Sequence, residues 1–206
     1  MAQAYCPACS LPNVISYDSS TALVVVDVQN DFADPSGSLF VQGGDAVVPR
    51  VNIEVMRALS AGAFVVYTQD WHPESTPHFE KDGGIWPVHC VQGTWGAEFH
   101  PGLEVSGPIV QNGANGEDGY SGFTMRDPVT GEETPTALRG MLEERGCQRV
   151  VVVGLALDWC VKETALDAAK DYETSVIPDA SASVDLEPGD GQRAIEEMRN
   201  HGVIIG

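Results

Sequence analysis

Residues 22–27 have the sequence ALVVVD, and residues 149–153 have the sequence RVVVV. Both are unbroken runs of mostly β-branched side chains, which is typical of a strand covered on both faces of a parallel sheet. Outward from the first run, residues 46–61 place an apolar side chain at every fourth position and are followed by Gly62, which predicts an amphipathic helix. A buried strand followed by such a helix is the repeating unit of an α/β protein.

The rest of the chain alternates in the same way. We predict strands at 64–68, 105–111, 174–178 and 203–205, and helices at 136–145, 159–171 and 191–200, the second of these helices capped by Asp158. The alternation predicts an α/β fold with three αβα layers around a central, mostly parallel, Rossmann-like sheet. Residues 21–206 would form this domain. Residues 1–20 show no periodicity, so we expect a flexible N-terminal extension.

The composition restricts the kind of protein that the chain can be. Its 206 residues carry 30 acidic and 11 basic side chains, a net charge of −19, which repels phosphate backbones and argues against nucleic-acid binding. No apolar run approaches the roughly 18 residues that a membrane span requires, so we expect no membrane association. The N-terminus lacks the basic and apolar regions of a secretory signal, so we expect a cytoplasmic location.

The five cysteines do not suggest a disulfide framework. Their number is odd, and the N-terminus shows no secretory signal. Cys6 and Cys9 form a CxxC pair, but a closed zinc site needs four ligands and no second pair follows. A metal or redox role for this pair is therefore the less favoured interpretation.

Polar side chains lie just after several of the predicted strands. In a parallel α/β sheet, ligands bind beyond the carboxyl ends of the strands. The residues expected at that edge are Asp27, Asp70, His72, Asn112, Asp158 and Cys160. This group indicates a functional site more than a random polar surface.

Cys160 follows a buried strand and opens a predicted helix. The exposed N–H groups and the dipole of a helix stabilise a thiolate at that position, and first-turn amides could bind an oxyanion. Asp27 ends the first strand, where a carboxylate could accept the thiol proton and pass it to a leaving amine. A structural cysteine and a turn-capping aspartate remain the alternatives.

A second candidate group contains carboxylate and imidazole side chains. Asp70 and His72 are two residues apart in an extended segment, so they point the same way and can meet one ion. His78 and His89 follow in the same part of the chain. Imidazole with carboxylate suits Zn, Fe or Mn, although an ordinary polar loop would have a similar composition.

Aromatic side chains accompany these polar groups. They are Phe32, Trp71, Trp86 and Tyr120. Together they could enclose a flat ring, while for any single one the alternative is core or loop packing.

Five segments of the sequence resemble one known family. They are residues 24–32 (VVVDVQNDF), 69–72 (QDWH), 86–90 (WPVHC), 119–123 (GYSGF) and 154–162 (GLALDWCVK). Their order and spacing are similar to the nicotinamidase/pyrazinamidase branch of the isochorismatase-like hydrolases, from about residue 21 to the C-terminus. The resemblance implies the three-layer αβα fold expected above.

The resemblance also implies a reaction and a set of roles. Cys160 would be the nucleophile and Asp27 its general base and acid, deamidating nicotinamide or pyrazinamide to the carboxylic acid and ammonia through a thioester, as in NAD salvage. The backbone N–H groups of Ala156 and Cys160 would form the oxyanion hole, after a cis peptide bond between Leu155 and Ala156. One divalent metal ion would hold the pyridine nitrogen. Its ligands would be Asp70, His72 and His89, with His78 the fourth. The ring pocket would be lined by Phe32, Trp86 and Tyr120, with Leu155 a further substrate-binding residue.

The sequence departs from the family at Asn112. The family has a lysine of the catalytic triad there, in a Lys-Gly pair, whereas this chain has Asn112-Gly113. Leu157 likewise replaces a usual threonine. An uncharged amide cannot stabilise a thiolate by Coulomb attraction, so we expect nicotinamide hydrolysis to be impaired. Two alternatives follow: a cysteine hydrolase acting on another amide or carbamoyl substrate, and a non-catalytic homologue that binds a pyridine-like ligand. Homo-oligomerisation is left open by the sequence.

Overall fold

The computed structural model describes residues 15–206. Its strands are β1 (Thr21–Val26), β2 (Phe64–Asp70), β3 (Ile109–Asn112), β4 (Thr124–Arg126), β5 (Glu133–Pro135), β6 (Arg149–Leu155), β7 (Glu173–Ala182) and β8 (Ile204–Ile205). Its α-helices are α1 (Asn30–Ala33), α2 (Gly44–Ser60), α3 (Leu138–Glu144), α4 (Lys162–Ala168) and α5 (Asp190–Asn200). Short 3₁₀ turns lie at Glu80–Asp82 and Trp95–Ala97, and a π-helical turn lies at Leu157–Val161.

The main sheet has six strands in the order β3-β2-β1-β6-β7-β8. All neighbouring strands in it are parallel, which confirms the predicted α/β fold. The two apolar runs of the sequence form the central pair, with Ala22 opposite Val150 and Val26 opposite Gly154. β4 and β5 pair separately as an antiparallel hairpin that the sequence pattern did not predict.

Two hydrophobic cores lie on opposite faces of the sheet. Because successive strand residues point to opposite faces, Leu23 and Val25 enter one core while Val24 enters the other. The first core is covered by α2, through side chains such as Val51. The second is covered by α3, α4 and α5, for example by Met198. These layers form the αβα sandwich.

Several boundaries differ from the predicted ones. β3 begins at Ile109 and not at residue 105, because the backbone reaches the sheet only at Pro108, whose carbonyl accepts the N–H of Tyr67. The helix predicted at 159–171 is a π-helical turn followed by α4. Asp158 does not cap it: its two carboxylate oxygens accept the N–H groups of Val184 and Asp185, each at 2.9 Å.

The described residues before β1 pack on the domain. The Tyr17 hydroxyl donates to Glu54 of α2 at 2.9 Å, and Asp18 forms an ion pair with Arg149. This part of the expected N-terminal extension is therefore ordered against the sheet and α2. Cys6 and Cys9 lie outside the described residues. Within residues 15–206, none of the helices has the length and apolar character needed to cross a bilayer.

Candidate active site

A cavity that is partly open to solvent lies at the carboxyl edge of the main sheet. Because β1, β2, β3 and β6 are neighbours and parallel, the residues that end them meet at this edge. The cavity is lined by Phe32, Leu39, Asp70, His72, His78, Trp86, His89, Gly119, Tyr120, Ala156, Trp159, Cys160 and Val184. Asp27 and Asn112 lie just beneath this wall and are almost fully buried.

Asp27 immediately follows β1 in a left-handed conformation, with a φ of 46°. The hydroxyl of Thr68 on β2 donates to its Oδ1 at 2.6 Å, while Oδ2 is buried without an N–H or O–H donor among the described residues. Burial, together with the charge of Asp70, raises the pKa of Asp27 to about 7. A carboxyl group with a pKa near 7 can both accept and return a proton at neutral pH.

Cys160 lies in the π-helical turn after β6, with its thiol beside the carboxyl group of Asp27. Burial raises the pKa of this thiol well above 9, and the negative charge of Asp27 raises it further. The backbone N–H of Ala156 acts in the opposite direction and favours the thiolate. The Leu155–Ala156 peptide bond, which contains this N–H, is cis, as the resemblance implied. The resting thiol is therefore protonated and has its proton acceptor next to it.

Asn112 is the last residue of β3, opposite Asp70 in the strand register. Its amide nitrogen makes two long contacts, at 3.4 Å to the carbonyl of Gly119 and 3.5 Å to that of Ser121. Its Oδ1 is buried without a hydrogen-bond partner in the described part of the chain. The following Gly113 has a φ of 72°, and a Cβ there would come within 2.7 Å of the His72 ring. Asn112 is thus buried beneath the site with weak hydrogen bonds, and its amide side chain brings no positive charge there.

Three imidazoles and one carboxylate form a buried cluster at the ends of β2 and the loops beside it. One nitrogen from each of His72, His78 and His89 lies within 4.8 Å of the other two. The Asp70 carboxylate binds this cluster through His72 Nε2 at 2.8 Å and His89 Nε2 at 3.2 Å. Burial alone would raise the pKa of Asp70, but His72 and His89 outweigh it and lower the pKa. Asp70 is therefore ionised at the centre of the cluster.

The second ring nitrogens of two of these histidines are fixed by neighbours. His89 Nδ1 lies 2.8 Å from the carbonyl oxygen of Pro87, and His78 Nδ1 lies 2.9 Å from Oδ1 of Asp118. Because a carbonyl or carboxylate oxygen accepts, each contact places a proton on Nδ1. In His78 this leaves Nε2 as a lone pair, whereas Nε2 of His89 faces Asp70. Burial lowers the pKa of His78 although Asp118 opposes this, so its ring is neutral at pH 7. Imidazole nitrogens with a carboxylate suit a divalent transition metal, so these residues fit such an ion.

Aromatic side chains form one wall of the cavity. The Trp86 indole N–H donates to the Tyr120 hydroxyl at 2.8 Å, and the Trp159 ring packs edge-on against Trp86 with centroids 4.8 Å apart. Phe32 tilts against His89 at 5.4 Å, whereas Trp71 packs against the first core. A flat ring entering the cavity would therefore meet aromatic faces beside the imidazoles.

Leu155 requires a correction, because we expected it among the substrate-binding residues. It is fully buried in the first core and does not line the cavity. As the last residue of β6 it follows the alternation of the strand into the core, and the chain turns toward the cavity only at Ala156.

Sequence reasoning also missed two residues of the site. Trp159 is adjacent to Cys160 and was assigned only to a helix, although its neighbour indicated the site. Asp118 lies in the irregular segment between β3 and β4, which carries no periodicity that could place it beside His78. Of the lysines that could have replaced the missing charge, Lys81 pairs with Asp82, and Lys162 pairs with Glu163 and Glu197.

The fold and the cavity together define a parallel α/β protein whose site joins a cysteine–aspartate pair to a cluster of imidazoles. Residues 21–206 match the isochorismatase domain, and the chain belongs to this family. It is 38% identical over 205 residues to the nicotinamidase of Acinetobacter baylyi, covering 90% of this chain and 91% of that protein. It is 39% identical over 188 residues to the nicotinamidase/pyrazinamidase of Mycobacterium tuberculosis, covering 88% of this chain and 96% of that protein.

Solved structures are similar over the same region. The pyrazinamidase of Pyrococcus horikoshii in complex with zinc aligns with a TM-score of 0.80 at 40% identity, covering 91% of this chain and 98% of that one. The PnC1 protein of L. infantum in complex with nicotinate aligns with a TM-score of 0.83 at 34% identity, covering 93% and 95%. A relative from Arabidopsis thaliana, 31% identical over 193 residues and covering 89% and 90%, is described as a probable inactive nicotinamidase.

Proposed function

We propose that this protein is a metal-dependent nicotinamidase-type amidohydrolase that converts nicotinamide, and its analogue pyrazinamide, to the carboxylic acid and ammonia. One observation carries the proposal: the Cys160 thiol lies beside the Asp27 carboxyl group and faces the same cavity as the His72–His78–His89 cluster. A nucleophile, its proton acceptor and a nitrogen-rich metal site in one aromatic cavity match an amide attached to a heteroaromatic ring.

The first half of the reaction forms a thioester. The Asp27 carboxylate takes the thiol proton while the sulfur of Cys160 attacks the carboxamide carbon. The negative charge that develops on the carbonyl oxygen is stabilised by the backbone N–H groups of Ala156 and Cys160. Asp27 then returns the proton to the amide nitrogen, the C–N bond breaks and ammonia leaves.

The second half hydrolyses the thioester. Ionised Asp27 accepts a proton from a water molecule, whose oxygen attacks the thioester carbon. The C–S bond breaks, the sulfur of Cys160 regains a proton from Asp27, and nicotinic acid is released. One carboxyl group therefore serves as base and acid in both halves, which the pKa of Asp27 near 7 permits.

The remaining cavity residues position the substrate. Asp70, His72, His78 and His89 would hold one divalent ion of zinc, iron or manganese. Such a bound ion supplies a Lewis acid for the ring nitrogen of the substrate. Phe32, Trp86, Tyr120 and Trp159 enclose the ring and exclude water from its faces.

Asn112 makes the proposed reaction slower than in relatives with a lysine at this position. The charge of Asp70 acts on Asp27, and that of Asp27 on Cys160, with no cationic side chain at Asn112 to oppose either. Burial first, and then these charges, raise both pKa values, so the thiolate costs more to form. The same feature supports the second candidate, a homologue that binds a pyridine-like ligand without turnover. The similarity to the Arabidopsis thaliana relative described as a probable inactive nicotinamidase makes this candidate worth testing.

Ammonia release from nicotinamide by the zinc-loaded protein, measured beside Cys160→Ala, tests the proposal. Wild type should release ammonia, a chelator should suppress the release, and Cys160→Ala should release none. Release from other amides but not from nicotinamide would indicate a different substrate. Tight binding of nicotinamide without turnover in wild type would indicate the non-catalytic homologue.

A further inference from the structure

His78 differs from the other two imidazoles in how it is held. His72 lies just after the end of β2, and its ring contacts Asp70, two residues earlier. The ring of His89 donates to the carbonyl of Pro87, also two residues earlier. His78 lies on the irregular segment between β2 and the Glu80–Asp82 turn. Its Nδ1 contacts a residue 40 positions away in sequence, Asp118, at 2.9 Å. The orientation of the His78 ring therefore depends on a different loop.

Asp118 is itself fixed by its surroundings. Its backbone N–H donates to the carbonyl of Arg126 at 2.7 Å, and the N–H of Arg126 donates to the carbonyl of Asp118 at 2.9 Å. These two hydrogen bonds hold the backbone of Asp118 against strand β4. The two loops are also joined directly, because the hydroxyl of Thr76 donates to the carbonyl of Gly116 at 3.0 Å. Asp118 is thus presented to His78 by a braced backbone, with a side chain that is 23% exposed.

We propose that Asp118 is a positioning residue for the metal site: its carboxylate orients His78 and holds its proton on Nδ1, so that Nε2 faces the cavity as a ligand. This inference rests on the metal-dependent function proposed above. A hydrogen-bonded carboxylate behind a ligating histidine fixes the tautomer and makes the ring a stronger ligand. Without Asp118, the His78 ring could rotate or carry its proton on Nε2, where it would not bind a metal ion.

The charges around the cluster agree with this role. Asp70 contacts His72 and His89 directly, and Asp118 contacts His78. These two carboxylates together supply two negative charges, which match the charge of one divalent ion surrounded by neutral imidazoles. Asp118 contributes one of these charges without itself lining the cavity.

Zinc affinity, measured by competition with a chromophoric chelator, tests the proposal without reference to catalysis. Asp118→Ala should weaken zinc binding by about 10- to 100-fold. Asp118→Asn keeps an acceptor oxygen but loses the charge, so its affinity should fall between wild type and Asp118→Ala. The adjacent Glu117→Gln removes the same charge from a side chain that accepts from the backbone and side-chain N–H groups of Asn115, and it should leave the affinity within about twofold. Equal losses for Glu117→Gln and Asp118→Asn would overturn the proposal.

A double-mutant cycle separates positioning from general loss of charge or structure. In a His78→Ala background, Asp118→Ala should have almost no further effect on zinc affinity, because the ring it orients is gone. The same fold-loss in both backgrounds would overturn the proposal. Nitrogen NMR of the metal-free protein gives a second measurement: His78 should carry its proton on Nδ1 in wild type and lose this preference in Asp118→Ala. Because neither measurement uses nicotinamide, a protein that binds zinc as described but releases no ammonia would refute the proposed function alone.

Discussion

Asp27 and Cys160 interact as a pair of buried acids, and the residue at position 112 carries no positive charge. Thr68 donates one hydrogen bond to Asp27, and Asn112 offers only an amide whose oxygen has no partner among the described residues. A positive charge about 4 Å away would be worth about 1–4 kcal/mol, depending on the local dielectric. We therefore expect the residue at position 112 to influence how readily this pair transfers its proton.

Asn112→Lys should raise the rate of nicotinamide hydrolysis at least about tenfold, because a tenfold gain needs only about 1.4 kcal/mol. It should also lower the pKa of Asp27 from about 7, so that the acidic limb of the kcat/KM profile moves to lower pH. Asn112→Met, which adds length without charge, is the matched control and should produce neither change. If wild type already works at the rate of its lysine-containing relatives, the role assigned to Asn112 is wrong.

The buried carboxyl group of Asp27 should also leave a signature in stability. Its pKa is about 7 in the folded protein and about 4 when unfolded, so its contribution to stability is complete below pH 4 and is lost as the pH rises toward 7. Each unit of difference corresponds to about 1.4 kcal/mol. Urea unfolding of metal-free wild type and Asp27→Asn should show wild type losing stability relative to the variant between about pH 4 and pH 7, with little further change above pH 7. Parallel curves would contradict a raised pKa.

At the scale of elements, the π-helical turn at Leu157–Val161 is attached to the loop after β7. Asp158 joins them through the N–H groups of Val184 and Asp185, and Val184 lines the cavity. The sequence placed Asp158 correctly at the carboxyl edge but assigned it as a helix cap. The same carboxylate could accept N–H groups of its own helix or those of a distant loop. Only the three-dimensional path of β7 decides between these two roles.

Asp158→Asn should therefore destabilise the protein and loosen the substrate pocket. The amide would direct an N–H group at one of two backbone N–H donors, which costs about 1–3 kcal/mol for the buried group left unsatisfied. Urea unfolding should show this loss, and the KM for nicotinamide should rise more than kcat falls. Asp179→Asn, at a residue whose side chain is 90% exposed, should change neither quantity. An unchanged free energy of unfolding in Asp158→Asn would refute the clamp.

An element could be predicted from the sequence where its apolar residues recur with the spacing of a strand or a helix. The apolar runs that form β1 and β6 identified the sheet, because a strand covered on both faces requires a nearly continuous run of apolar side chains. The candidate residues Asp27, Asp70, Asn112 and Cys160 lie together because they end or follow neighbouring strands. Asp118 could not be found in this way, since its contact with His78 depends on two irregular loops and on the β4–β5 hairpin.

For the whole molecule, the net charge of −19 bears on how metal ions bind. A strongly acidic surface attracts any divalent cation without a defined site, and such cations would reduce the repulsion among carboxylates. The imidazole cluster is buried and contains three nitrogen donors, so it should discriminate between ions. Zinc accepts imidazole ligands readily, whereas magnesium prefers oxygen ligands in octahedral geometry.

Zinc should therefore stabilise the folded protein far more than magnesium does at the same concentration. At a free zinc concentration 100 times the Kd, binding to one site in the folded state alone adds about 2.7 kcal/mol to the free energy of unfolding. Urea unfolding with each metal, in wild type and in His89→Ala, measures this contribution. The variant should lose the zinc effect and keep whatever small effect magnesium has. Equal stabilisation by the two ions, or a zinc effect that survives in His89→Ala, would mean that the metal acts on the acidic surface and not at the cluster.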